Sequence, residues 1–309
     1  MFGKSEIGDP ESLGRYIKIV DIDSDGMNEF LITNESDSGF PGIKCYSYEG
    51  DPIWQYSFHD KVSSMREELP PVYNLFFLDT LMLNEHRSLL MIANNSPSFS
   101  SAIFRVDLKT GKRLPGTLWS SGHSVNGIIK DINGDGKKDV LCVGVDNGYE
   151  DAVLFGFDID TTTRVRPTTN EYLILDFPVA KLITYIRFPK TDYDEYRNFR
   201  MPGPFQSSFQ DVVSNKYYQF YTMDFLNDFS SILWYQISYN LKDVSIVVDS
   251  RFRVMRDSLV AHGELKPPYT DTPEYINLQK SKILYWLVPA RQGLDGKDGK
   301  WVKRAELEK

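Results

Sequence analysis

Apolar and polar positions along the chain alternate in short β-rich runs, each closed by an acidic or glycine-bearing break. Phe30-Leu31-Ile32-Thr33 is followed by a break from Asn34 to Gly42, by Ile43-Lys44-Cys45-Tyr46-Ser47-Tyr48, by a turn at Glu49-Gly50-Asp51-Pro52, and by a run ending on Trp54. The same order returns later. Val140 to Val145, a break at Asp146 to Asp151, Ala152-Val153-Leu154-Phe155-Gly156-Phe157, and a turn from Asp158 to Thr163 repeat it. Between the two lie Leu75-Phe76-Phe77-Leu78-Asp79, Ser88-Leu89-Leu90-Met91-Ile92-Ala93, Ile103 to Leu108, a hairpin turn at Lys109-Thr110-Gly111-Lys112, and a run closing on Trp119. Runs this short, rich in β-branched and aromatic residues and bounded by turn formers, predict strands.

Beyond residue 178 the repeat fades while β-like runs continue at Leu182–Phe188, Tyr217–Thr222, Ile232–Tyr239, Val244–Val248 and Ile283–Val288. Turn signals fall at Asp249-Ser250 and at Asp295-Gly296-Lys297-Asp298-Gly299 before Trp301. The Pro- and Tyr-rich segments Thr191 to Gln206 and Leu265 to Asn277 read as long loops, with room for one short helix.

Two of the modules open on the same nine-residue pattern. Asp21-Ile22-Asp23-Ser24-Asp25-Gly26-Met27-Asn28-Glu29 and Asp131-Ile132-Asn133-Gly134-Asp135-Gly136-Lys137-Lys138-Asp139 both spell D-x-[DN]-x-D-G-x-x-[DE]. A hard cation takes about six to eight oxygens at about 2.3–2.6 Å, and side chains at positions 1, 3, 5 and 9 with the carbonyl at position 7 can supply them. Gly26 and Gly136 let the backbone turn where a side chain would clash. An EF-hand is excluded, because it needs a bidentate Glu at position 12 and flanking helices. Position 12 is Ile32 in one loop and Cys142 in the other, both inside apolar strand-like runs.

Strand, acidic loop and strand, recurring at about 55 residues per module, is close to the period of propeller blades. The pattern resembles the FG-GAP and VCBS repeats, the calcium-loop propeller blades of integrin α-subunits and many bacterial surface or periplasmic proteins. The resemblance covers residues 14–56 and 125–160 well and 70–119 weakly; the Phe-Gly and Gly-Ala-Pro signatures of the integrin family are not evident. It implies an all-β fold, a β-propeller of five or six blades, or seven, with calcium loops in at least two. Residues 1–13 would be an N-terminal extension and 14–309 a single propeller domain. Its clear blades are 14–56 and 125–177, its worn blade 70–119, and 178–309 would supply blades too degenerate to delimit.

The resemblance also implies two structural Ca2+ sites. Asp21, Asp23, Asp25 and Glu29 would give carboxylate oxygens and Met27 its carbonyl in the first. Asp131, Asn133, Asp135 and Asp139, with the carbonyl of Lys137, would do so in the second. The expected role is a non-enzymatic extracytoplasmic module for ligand binding, sensing or protein interaction, with a protein or carbohydrate ligand. The alternative is a propeller-fold polysaccharide lyase or hydrolase.

Charge narrows the partners. At 309 residues and net −8, from 43 Asp and Glu against 35 Lys and Arg, the chain lacks the basic face that phosphate binding needs, so nucleic acid is disfavoured. No window approaches the ~20 apolar residues of a membrane span, and the first residues carry no apolar leader core. The chain is therefore expected to have no transmembrane segment. An extracellular, periplasmic or cell-surface location would require a signal or anchor outside this sequence. Cys45 and Cys142 lie in separate strand-like runs and imply buried thiols rather than a disulfide framework.

Other candidates for chemistry carry less. Gly122-His123-Ser124-Val125-Asn126-Gly127 nearly spells a serine-hydrolase elbow, but Asn126 breaks it and a strand follows where the elbow needs a helix. His59, His86, His123 and His262 are dispersed, which leaves zinc unsupported. Asp192, Asp194 and Glu195, beside Tyr193 and Tyr196, can be read as paired carboxylates or as a solvated loop. Tyr193, Tyr196, Phe199, Phe205, Tyr217 and Tyr218 suit either recognition of a sugar or peptide, or packing. Sequons occur at Asn34-Glu35-Ser36 and Asn94-Asn95-Ser96, in predicted loops.

Overall fold

The computed structural model describes residues 14–35, 41–83, 86–160, 162–224, 228–288 and 296–307. They are mostly β-sheet, and the chain divides into two compact units.

The first unit comprises Met1–His123, Asp160–Val165 and Leu173–Phe177. In it, β1 (Ile17–Val20), β2 (Glu29–Glu35), β3 (Gly42–Tyr46) and β4 (Pro52–Ser57) pair in sequence order as an antiparallel meander. Side chains alternate between faces along a strand. Leu31 and Cys45, opposite one another, are fully buried with Ile43, while the neighbouring pair Ile19 and Phe30 face outward, 60% and 37% exposed.

After a small hairpin of β5 (Val62–Ser63) and β6 (Glu68–Leu69) comes a second meander. It is made of β7 (Tyr73–Leu83), β8 (His86–Asn95), β9 (Ser101–Asp107) and β10 (Arg113–Ser120), with the later two-residue β14 (Arg164–Val165) parallel to β10. Strand β8 lies between two neighbours and is buried on both faces, which explains why Leu89 to Ala93 is a continuous apolar run rather than an alternating one. Phe58 centres this core, with ring centroids 4.7 Å from Tyr73 and 4.6 Å from Phe104, and the Arg113 guanidinium lies 4.9 Å over its face.

The second unit comprises Ser124–Ile159, Arg166–Tyr172 and Pro178–Lys309. Strands β11 (Ser124–Lys130), β12 (Asp139–Asp146), β13 (Asp151–Asp158) and β15 (Thr184–Phe188) form a third antiparallel meander, extended by β21 (Leu284–Leu287) and β22 (Lys300–Lys303). A further sheet runs β16 (Gly203–Pro204), β18 (Tyr217–Asp224), β19 (Asp228–Ser238) and β20 (Val244–Val248), with β17 (Gln210–Val212) also against β18. None of the sheets closes on itself. Leu141, Leu154, Ile186, Phe188, Phe220 and Tyr235 belong to one buried cluster shared by both sheets of this unit.

Among the described residues, three α-helices lie in this unit: α1 (Asp192–Tyr196), α2 (Ser250–Ala261) and α3 (Pro273–Lys282). The turn expected at Asp249-Ser250 is instead a helix start, for the Asp249 carboxylate accepts from the Arg251 N–H at 2.8 Å and caps twelve helical residues. Helix α2 buries only Phe252, Arg256 and Val260, a stripe one residue wide at spacing four. So narrow a stripe, with arginine in its middle, gives little helical periodicity to read. The segment from Leu265 is likewise no simple loop, since Thr272 caps α3 and Pro273 fills its first turn.

Arg256 joins the three helices. Its guanidinium donates through Nε and Nη2 to both oxygens of Asp192 on α1 at 2.9 and 2.7 Å, donates to the carbonyls of Pro268 and Lys266, and lies 4.1 Å over the Tyr275 ring of α3. Spending the donors of this fully buried guanidinium on a carboxylate and carbonyls offsets the cost of desolvating its charge.

Candidate metal loops

Each acidic loop folds around its first residue. In the first, the Asp21 carboxylate accepts N–H bonds from Ser24 at 2.6 Å and Asp23 at 3.3 Å through Oδ1, and from Gly26 at 3.0 Å through Oδ2. In the second, Asp131 accepts from Gly134 at 2.7 Å and Gly136 at 2.9 Å through the same two oxygens. Position 5 then accepts from position 7, Asp25 from Met27 at 2.7 Å and Asp135 from Lys137 at 2.8 Å. Position 9 closes the loop by accepting the N–H of position 2: Glu29 from Ile22 at 2.8 Å, Asp139 from Ile132 at 3.1 Å.

Backbone conformation follows the same code. Positions 4 and 6 are both left-handed, Ser24 at φ +69° and Gly26 at +90°, Gly134 at +81° and Gly136 at +83°. The converging N–H groups hold both position-1 carboxyls below the usual range. For Asp21, desolvation works against this and is outweighed by the N–H groups of Gly26, Ser24, Asp23 and Asp25. For Asp131, the Gly136 N–H is the leading cause.

Sheet and side-chain contacts fix where each loop sits. Ile22 is buried, and the Arg87 guanidinium of β8 donates to the Asp21 carbonyl at 2.5 Å. Ile132 packs over Gly156 so closely that a Cβ there would lie 2.5 Å from its Cδ1. The position-9 carboxylates are the buried ones, Glu29 at 5% exposure and Asp139 at 1%, while Asp23, Asp25, Asn133, Asp135, Met27 and Lys137 sit on the exposed rim.

Such a donor set suits a hard divalent cation, and two observations bear on the fit. Asp21, Asp23 and Glu29 each bring an oxygen within 4.8 Å of the other two, the one such acidic group among the described residues. In the second loop Asn133 replaces the position-3 carboxylate, but Asp139 leaves Oδ1 buried and without a hydrogen-bond partner. Desolvation, aided by the charges of Asp158 and Asp135 and opposed by the Ile132 N–H, pushes the Asp139 carboxyl up to about 6. A cation beside Oδ1 would satisfy that oxygen.

The remaining candidates are built into the fabric. Asp192 is bound to Arg256, and Asp194 accepts from the N–H and hydroxyl of Thr191 in a capping box, so these two carboxylates hold helices. Of the aromatics read as suited to recognition or to packing, Tyr193, Phe199 and Tyr218 are buried and pack; Tyr196 is exposed and hydrogen-bonded to Glu264. Ser124 is fully buried at the start of β11, with Gly127 in the same strand, so no strand-to-helix elbow forms. His123 Nε2 faces the carbonyls of Asn95 and Ser98 at 2.8 and 3.1 Å.

Asn94 lies in β8, buried, rather than in a loop. Asn34 uses its side chain as a surrogate strand, donating to the Leu75 carbonyl at 3.0 Å and accepting its N–H at 2.7 Å; Ser36 of that sequon lies outside the described residues. Both cysteines are free and buried, and burial pushes the Cys45 thiol up to about 12. No helix among the described residues is long and apolar enough to cross a membrane.

Comparison with family models, curated proteins and solved structures gave no match. Beyond the acidic positions of the motif, the structure brings out the isoleucine at position 2, which seats each loop, and the residue opposite position 9 across the strand. The first was visible as an identity between the two copies, Ile22 and Ile132. The second depends on pairing register, which a motif does not encode.

Proposed function

We propose that the chain is a calcium-stabilised repeat protein of the FG-GAP/VCBS kind, built on propeller-type blades and serving as a non-enzymatic extracytoplasmic module for binding, sensing or protein interaction. The observation that carries this reading is the repetition of one hydrogen-bond scheme in two loops that each lead into an antiparallel meander. Ordinary Asp-Gly turns need no carboxylate at position 9, yet both loops bury one there. Three consecutive antiparallel meanders, at β1–β4, β7–β10 and β11–β15 without β14, support the blade reading.

Calcium would be held by Asp21, Asp23, Asp25, Glu29 and the Met27 carbonyl, and by Asp131, Asn133, Asp135, Asp139 and the Lys137 carbonyl. Its role would be to stabilise by mass action, since an ion that binds only the folded loop stabilises it by an amount that grows with the logarithm of the free ion concentration above its dissociation constant. At a hundredfold excess over its dissociation constant one site contributes about 2.7 kcal/mol.

The test is a pair of melting curves, with calcium and with chelator. Calcium should raise the melting temperature, and Asp25→Ala combined with Asp135→Ala should abolish that rise. An unmoved curve sinks the metal assignment. A glycan and peptide array then asks what the module binds; turnover of any arrayed polysaccharide would overturn the non-enzymatic reading.

A further inference from the structure

We infer that Asp158 is the fourth carboxylate of the second loop, reaching the cation from the neighbouring strand; this rests on the calcium reading above. Asp139, the last ligand of the motif, is paired in register with Asp158 across β12 and β13. Like charges directly opposite one another destabilise a strand pair unless something neutralises them. Here the pairing is severe, because Asp139 is 1% exposed and its Oδ1 has no hydrogen-bond partner. A divalent ion between them converts the repulsion into coordination and fills the position Oδ1 lacks.

Charge counting points the same way. The first loop has four carboxylates, Asp21, Asp23, Asp25 and Glu29. The second has three, Asp131, Asp135 and Asp139, with Asn133 at position 3 and Lys137 and Lys138 beside them. Adding Asp158 restores four. Where Phe30 faces Tyr46, the next position on β3's side is Ser47, whose hydroxyl accepts from the Glu49 and Asp51 N–H groups of its own turn. The first loop, complete in itself, has a serine at the place where the second has Asp158.

The experiment is calorimetric titration of calcium into the full chain carrying Asp25→Ala, which leaves the second loop to report. Asp158→Asn in that background should weaken binding by about tenfold, in the range that loss of one coordinating or orienting group produces. Adding Asn133→Asp to Asp158→Asn should recover most of the loss by returning the fourth carboxylate within the motif. Asp158 is exposed, so the variant is expected to fold, and its melting curve in chelator checks this. If Asp158→Asn leaves the affinity within about twofold while Asp135→Ala abolishes binding, the inference falls and the calcium reading stands. If the Asp25→Ala protein takes up no calcium, the reading of the second loop fails and the inference with it.

Discussion

In the first loop Leu31 faces Cys45 across the hairpin; in the second, at the same step of the pattern, Leu141 faces Gly156. Both loops share the nine-position pattern and the acceptors at positions 1, 5 and 9, yet below the second the seat is a missing side chain into which Ile132 packs. The difference teaches that the acidic code specifies the loop's own turn, while its attachment to the sheet is solved separately in each copy. One copy uses a buried isoleucine and an arginine bond from strand β8 of the second meander, the other an isoleucine over a glycine.

The comparison breaks hardest at Gly156. A Cβ there would meet Ile132 Cδ1 at 2.5 Å, Thr184 Cγ2 at 3.1 Å and Leu141 Cδ1 at 3.4 Å. Gly156→Ala should therefore cost about 1–3 kcal/mol by overpacking, read as a lower urea midpoint at constant slope. Cys45→Ala, its counterpart, removes volume and adds none, and should cost less. Equal losses would mean that Ile132 yields freely and does not seat the loop.

The next contrast is electrostatic and is read with chelator present. Because the Asp139 carboxyl is raised to about 6 against an ordinary 3.8, the folded protein holds this proton more tightly than the unfolded chain. Stability from this group is therefore fully present below about pH 4 and is lost as the pH rises through about 6. Asp21 and Asp131 run the other way, since carboxyls held low contribute stability that is lost on acidification. Urea titrations at pH 4.5 and pH 7 should thus show Asp139→Asn gaining most, relative to the parent, at the higher pH. A gain independent of pH would show that the buried oxygen carries no proton in that range.

These contrasts also mark what the chain alone could tell. The main strands between Phe30 and Phe157 were legible because their cores are apolar runs closed by turn residues, although β7 and β8 run several residues beyond those cores, and Val140 to Val145 is buried along its whole length as its composition implies. The loops were legible because their chemistry is local: every hydrogen bond that shapes them spans seven residues or fewer. What was not legible was set by pairing at a distance. Asp158 reads as the start of a turn until register places it opposite Asp139. Of helix α2 the sequence shows only the turn signal at Asp249-Ser250, until Arg256, a residue that normally marks an exposed face, is found buried against Asp192 and Tyr275.

The smallest effect expected isolates the backbone. Position 4 is left-handed in both loops, but it is serine in one and glycine in the other. Left-handed backbone costs an L-residue roughly 1–2 kcal/mol, whereas glycine adopts it freely and loses roughly 0.5–1 kcal/mol in extra chain entropy. No atom lies within 4 Å of where a Cβ on Gly134 would stand, so Gly134→Ala meets no neighbour and should cost about 1 kcal/mol through backbone strain. Ser24→Gly should run in reverse and stabilise by roughly 0.5 kcal/mol, the difference between the two terms. Measured as paired urea midpoints in chelator, opposite signs would establish that both loops demand this conformation without an ion. A neutral Ser24→Gly beside a costly Gly134→Ala would instead mean that the first loop does not hold its position 4 in the left-handed region under those conditions.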